Sequence, residues 1–159
     1  MDLARQKVLA LPTGKPWEVA RRDTQLEAIT AACTFLQQEE SAPLRALSTV
    51  RRKTVPLIVS GVSISVRPEL LVHLNDAVVG AVKLYFSKTS PLSDERARYG
   101  GTILQMAVEM QKSGHTSDYR NCFIVDVFAK RLHPAPRTSR RRRQDVDAAC
   151  TEIAALWST

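Results

Sequence analysis

Glu69 and Lys83 each stand alone among strongly β-forming neighbours, Glu69 in VSISVRPELLVHL and Lys83 in VVGAVKLYF. Over residues 62–74 the side chains alternate with a period of two. Val62, Ile64, Val66, Pro68, Leu70, Val72 and Leu74 take one face, and Ser63, Ser65, Arg67, Glu69, Leu71 and His73 the other. The next run sets Val78, Gly80, Val82, Leu84 and Phe86 against Val79, Ala81, Lys83, Tyr85 and Ser87. The two runs read as long strands joined at Asn75-Asp76. Taking a charge out of water between such neighbours is costly unless it is paired or holds a ligand. A carboxylate and an ammonium on neighbouring strands can do either: form a cross-strand ion pair worth about 0.2–1 kcal/mol, or build a site. Asp126 and Lys130, at i and i+4 in NCFIVDVFAKRL, would share one face of a strand and are expected to form a second, structural pair.

Other chemistry is thinly supplied. Cys33, Cys122 and Cys150 are far apart, odd in number and outside any CxxC pair, which favours reduced thiols over a disulfide framework or a structural zinc site. His73, His115 and His133 are equally scattered, so a histidine metal centre is not expected. Gly14-Lys15 lacks the upstream glycine of a phosphate loop, and Pro16 follows the lysine. The net charge of +7 is local, because without Arg137, Arg140, Arg141, Arg142 and Arg143 it would be +2. That cluster, with the run Arg51, Arg52 and Lys53, can displace counterions from a phosphate backbone, or be a solvated loop or helix entry. Nucleic acid is the partner these residues suggest; a protein partner or a homodimer stays open.

The elements that must position these groups read as a lead-in, residues 1–22, broken between Pro12 and Pro16, and one α/β domain, residues 23–159. With 44% hydrophobic and 25% charged residues, the chain is rich enough in apolar side chains to bury a core. Asp23 or Thr24 can cap a helix over residues 25–38, with Leu26, Ile29, Ala32, Cys33 and Leu36 on its core face. Residues 55–59 form a first strand, closed by Ser60-Gly61, and the two long strands follow. Ser93 can cap a helix over residues 94–112 that stops at Ser113-Gly114. Gly100-Gly101 inside that helix costs roughly 1 kcal/mol per glycine relative to alanine, which close approach to the sheet would explain. Residues 119–132, apolar on both faces except Asp126 and Lys130, read as a central strand ended by Pro134 and Pro136. A last helix over residues 145–157 puts Val146, Ala149, Cys150, Ile153 and Trp157 on one stripe. No apolar run approaches the roughly 18 residues needed to span a bilayer. The opening MDLARQKVLALPTGKPW lacks a secretory apolar segment. The expectation is a cytoplasmic protein without membrane association.

The order helix, strand, strand, strand, helix, strand, helix, with Pro68-Glu69 on the second strand and Lys83 on the third, resembles the core of the PD-(D/E)XK nuclease superfamily, the restriction-endonuclease-like fold. The likeness covers residues 25–157. It implies an α/β fold with a mixed sheet of about four strands flanked by helices, in a nuclease-like protein that binds or processes nucleic acid. In an active member it further implies Mg²⁺ on acidic side chains, with the lysine near the attacking water. Glu69 and Lys83 are then the catalytic candidates, and Glu69 a metal ligand. The family's second acid belongs two residues before the lysine, where Ala81 stands. Some relatives carry that acid on a neighbouring helix, which makes Glu95 and Glu109 further metal-ligand candidates, with Glu27 on the first helix. The RecB-like branch adds a glutamine and a tyrosine on the helix after the lysine. Tyr99 and Gln105 are of those types, in a different order and spacing. With one acid missing, the expectation is nucleic-acid binding with weakened or lost cleavage. The alternative is a non-enzymatic protein-interaction module or accessory subunit on the same scaffold.

Overall fold

A proline at the first helical position loses no hydrogen bond and has its φ already set, and Pro16 opens the longest helix among the described residues in this way. In the computed structural model, which describes residues 2–45, 47, 49–51, 54–74, 77–110 and 118–157, α1 (Asp2–Leu9) is followed by α2 (Pro16–Leu36). The helix therefore starts well before the expected caps. Lys15 is the N-cap residue, and its backbone N–H donates to the Glu18 carboxylate at 3.0 Å. Thr24 lies inside the helix, its hydroxyl donating to the Ala20 carbonyl. A 3₁₀ turn and the short α3 (Ala42–Arg45) lead to the strands.

These are β1 (Thr49–Arg51), β2 (Val55–Val59), β3 (Val62–Val66), β4 (Leu70–Leu74), β5 (Ala77–Tyr85), β6 (Cys122–Asp126) and β7 (Arg131–Pro134), with α4 (Asp94–Met110) between β5 and β6 and α5 (Arg140–Trp157) at the end. The fold is α/β, with a mixed sheet flanked by helices. Five strands take the order β1-β4-β5-β6-β7, antiparallel except for the parallel pair β5/β6 that the α4 crossover joins. The hairpin β2-β3 forms a separate two-stranded sheet.

The long alternating run of residues 62–74 is thus two strands in two sheets. Pro68, buried, has no N–H for a ladder, and the chain rejoins the main sheet only at Glu69, whose N–H donates to the Val82 carbonyl at 2.9 Å. The break also shifts the phase. Val62, Ile64 and Val66 pack with the α4-side core, whereas in β4 it is Leu71 that does so and Val72 that faces the opposite side. The expected single strand over residues 119–132 likewise folds back on itself. After β6 a turn over residues 127–130, with Lys130 at φ 54, reverses the chain into β7. Lys130 is exposed, and Asp126 spends its oxygens elsewhere: the N–H groups of Leu92 and Ala129 donate to them at 2.7 and 3.0 Å. The expected Asp126–Lys130 pair does not form.

The last helix begins at Arg140 instead of Asp145, so Arg140 to Arg143 of the arginine cluster are its first turn, with Arg137 before it, and the Arg143 N–H donates to the Ser139 carbonyl. Arginine is a good helix former, and nothing local stops it from opening a helix. The end of α4 expected at Lys112, with its stop at Ser113-Gly114, lies outside the described residues, as does His115.

Two cores sandwich the sheet. On one side Leu57, Val62, Leu71 and Ala81 meet Leu104 and Val108 of α4 and Val146 and Cys150 of α5. On the other, Phe35 of α2 packs with Val72, Val82, Phe123 and Val125. Every residue of β6 is buried, as two-sided packing requires. The glycine pair of α4 answers its cost in the way expected. A Cβ on Gly100 would meet Ile124 Cδ1 at 2.5 Å, and one on Gly101 would meet Ala135 Cα at 3.0 Å. Cys33, Cys122 and Cys150 are free thiols, the latter two buried.

Candidate functional site

Register brings Leu70 opposite Val82, so the residue before the one and the residue after the other become neighbours. The Lys83 ammonium lies 2.7 Å from Glu69 Oε1 and also donates to the Arg67 carbonyl at 3.1 Å. The Leu84 N–H donates to Glu69 Oε2 at 2.6 Å. Glu69 and Lys83 therefore stand side by side on one face of the sheet, partly open to solvent. Each oxygen of the carboxylate already has a donor. Two residues before Lys83, Ala81 is fully buried among Leu71, Leu104 and Val108. A carboxylate at that position would sit in hydrocarbon, at a cost of several kcal/mol or more.

The further acids are not gathered at this pair. Glu95 is in the first turn of α4 and Glu109 in the last, about 21 Å apart along the axis at 1.5 Å per residue. They cannot share one ion. Glu109 is held by Arg143 in a bidentate pair, with nitrogen–oxygen distances of 2.6 and 2.9 Å, which raises the arginine pKa further. Glu27 pairs with Lys88. Among the described residues no three His, Cys, Asp or Glu side chains are placed to hold a metal ion. Magnesium prefers six oxygen ligands in near-ideal octahedral geometry. A single carboxylate already committed to an ammonium and an amide does not fit that demand.

Tyr99 turns toward α5, its hydroxyl donating to Asp145 at 2.6 Å, and this bond pushes the phenol pKa above its ordinary value. Gln105 is buried, and its Oε1 has no hydrogen-bond partner among the described residues. Of the arginine cluster, Arg143 is committed to Glu109 and Ser139, and Arg142 donates to the Thr138 carbonyl at 3.2 Å. Arg137, Arg140 and Arg141 are exposed. Arg51 belongs to β1; its side chain, with Arg52 and Lys53, lies outside the described residues.

Sequence reasoning passed over one cluster beside the start of α4. Asp94 Oδ1 accepts from Arg131 at 3.1 Å and lies 3.6 Å from Nδ1 of buried His133, whose Nε2 has no partner among the described residues. Burial, then the Arg131 charge, holds the imidazole below its ordinary pKa, against the opposing pull of Asp94 and Asp126. No local spacing announces this cluster, because its members are far apart in the chain. Comparison with protein-family models, with curated proteins and with solved structures finds no match to this chain.

Proposed function

We propose that this chain binds nucleic acid on a nuclease-like scaffold whose cleavage site has become a structural ion pair. The observation that carries the reading is Glu69 beside Lys83. Glu69, at the entry to β4, pairs with Lys83 of the neighbouring β5, the two residue types that the PD-(D/E)XK resemblance asks for, yet both acid oxygens are taken and the second acid is the buried methyl of Ala81. The succession β1, β4, β5, α4, β6 in one mixed sheet supports the resemblance. Binding falls to the exposed arginines Arg137, Arg140 and Arg141, with Arg98 lining a pocket beside Arg141, all of which contact phosphate without reading sequence.

The test is a fluorescence-anisotropy titration against salt, with single- and double-stranded oligonucleotides. Joint replacement of Arg137, Arg140 and Arg141 by alanine is expected to weaken binding to all sequences alike and to flatten the slope of log K against log salt by about one unit per lost phosphate contact. Unchanged affinity and slope would sink the reading. Incubation with Mg²⁺ or Mn²⁺ is expected to leave DNA and RNA uncut; cleavage abolished by Glu69→Ala and by Lys83→Ala would make the protein an active nuclease.

One observation favours a second reading, a protein-interaction module. Ile153, Leu156 and Trp157 project from the end of α5 at 37, 69 and 79% exposure, and such apolar clusters mark association surfaces. If the arginine variant binds as the native chain does, while Leu156→Asp abolishes self-association in sedimentation, this second reading replaces the first.

A further inference from the structure

Between the first two turns of α4 and α5 lies a half-open pocket of about 560 Å³, lined by Asp94, Glu95, Arg98, Tyr99, Arg141, Arg142 and Asp145. Several of these groups are engaged: Asp94 by Arg131, Asp145 by the Tyr99 hydroxyl, and Arg142 by the Thr138 carbonyl. The guanidinium groups of Arg98 and Arg141 and the carboxylate of Glu95 have no hydrogen-bond or ion-pair partner among the described residues. The cavity therefore presents free cationic forks and a free anionic acceptor on its walls. Its size falls within the roughly 300–1,000 Å³ range of small-molecule sites.

We infer that this cavity takes one nucleotide, its phosphate held by Arg98 and Arg141 and its hydroxyl and amino donors by Glu95. The planar arginine fork matches phosphate oxygens in pairs. A carboxylate accepts from ribose hydroxyls and from exocyclic amines, but it repels a second phosphate. A continuous run of backbone therefore does not suit the cavity; a single phosphate attached to a donor-rich sugar and base does. The Tyr99 hydroxyl engages Asp145 Oδ2, one of the two oxygens with which that carboxylate competes for the guanidinium groups. That the nucleotide is the end of a strand rests on the nucleic-acid reading above; a free mononucleotide presents the same chemistry, and the two sources are separable.

The experiment measures the affinity of the full chain for labelled decanucleotides ending in a 5′-phosphate, a 3′-phosphate or hydroxyls, and for free 5′-mononucleotides. A phosphorylated end is expected to bind about tenfold tighter than a hydroxyl end, the scale of one charge-assisted hydrogen bond. Arg98→Ala and Arg141→Ala, both at exposed side chains, are expected to erase that preference with an unchanged circular dichroism spectrum. Equal affinity for all ends, lowered to the same degree at every end in the variants, would overturn the inference and leave the nucleic-acid reading standing; affinity equal at all ends and unaltered in the variants would overturn both. Binding of free mononucleotide that both variants lose, with no oligonucleotide binding, would support the cavity and overturn the nucleic-acid reading.

Discussion

Each oxygen of Glu69 has its own donor, the Lys83 ammonium at 2.7 Å and the Leu84 N–H at 2.6 Å, and the two are unequal in what their loss costs. A partly exposed ion pair contributes about 0.2–1 kcal/mol, whereas a strand amide left without an acceptor costs about 1–3 kcal/mol. Glu69→Ala is therefore expected to destabilise the fold in urea titrations by about 1–3 kcal/mol, and Glu69→Gln, which keeps an acceptor for Leu84, by under about 1 kcal/mol. Equal losses would show that the charge, not the amide bond, is what the site needs. His133 gives a pH signature. Its native pKa lies below the ordinary 6.5, so on acidification the unfolded chain takes up a proton that the native chain refuses. Stability is then full above about pH 6.5 and falls as the pH drops below it toward the native value. Denaturant titrations from pH 8 to 5.5 should show this fall in the native chain and a shallower one in His133→Gln; identical profiles would assign it to other groups.

At the scale of elements, two close approaches that look alike differ in what stands in the way. A Cβ at Gly80 of β5 would lie 2.1 Å from the Asn121 carbonyl oxygen, a backbone atom, while one at Gly100 of α4 would meet the far end of the Ile124 side chain. Backbone must shift in the first case, and a rotamer can turn in the second. Gly80→Ala is expected to cost about 1–3 kcal/mol, and Gly100→Ala to be within about 1 kcal/mol of neutral, since alanine regains helix propensity. Thermal unfolding of the two variants checks this, and the opposite ranking would refute it. The same scale explains the end of α4, where the bidentate Arg143–Glu109 pair clips it to α5.

For the molecule as a whole, the sheet is covered unequally. α4 meets the sheet, the hairpin and α5, whereas α2 buries only Phe35 fully, near its C-terminal end, and leaves Trp17 at 57% exposure. Local stability follows buried contact, so hydrogen exchange is expected to run fastest in α1, where no described residue is buried, and in the first half of α2, and slowest in β5, β6 and α4. Phe35→Ala should cost about 3–5 kcal/mol and strip protection from the whole of α2; a uniform loss across the sheet would show that the two cores melt together. The element types, the glycine contacts of α4 and the adjacency of Glu69 and Lys83 were legible in the chain because they follow from side-chain period and local propensity. Period alone did not reveal that Pro68 divides residues 62–74 between two sheets, since alternation continues through a break that only hydrogen bonding exposes. Nor did it reveal that residues 119–132 turn back at Lys130. Which charge meets which was decided by tertiary structure: Glu109 finds Arg143 and Tyr99 finds Asp145 only once α4 and α5 pack. Such pairings depend on the placement of whole helices, and no short-range pattern in the sequence encodes it.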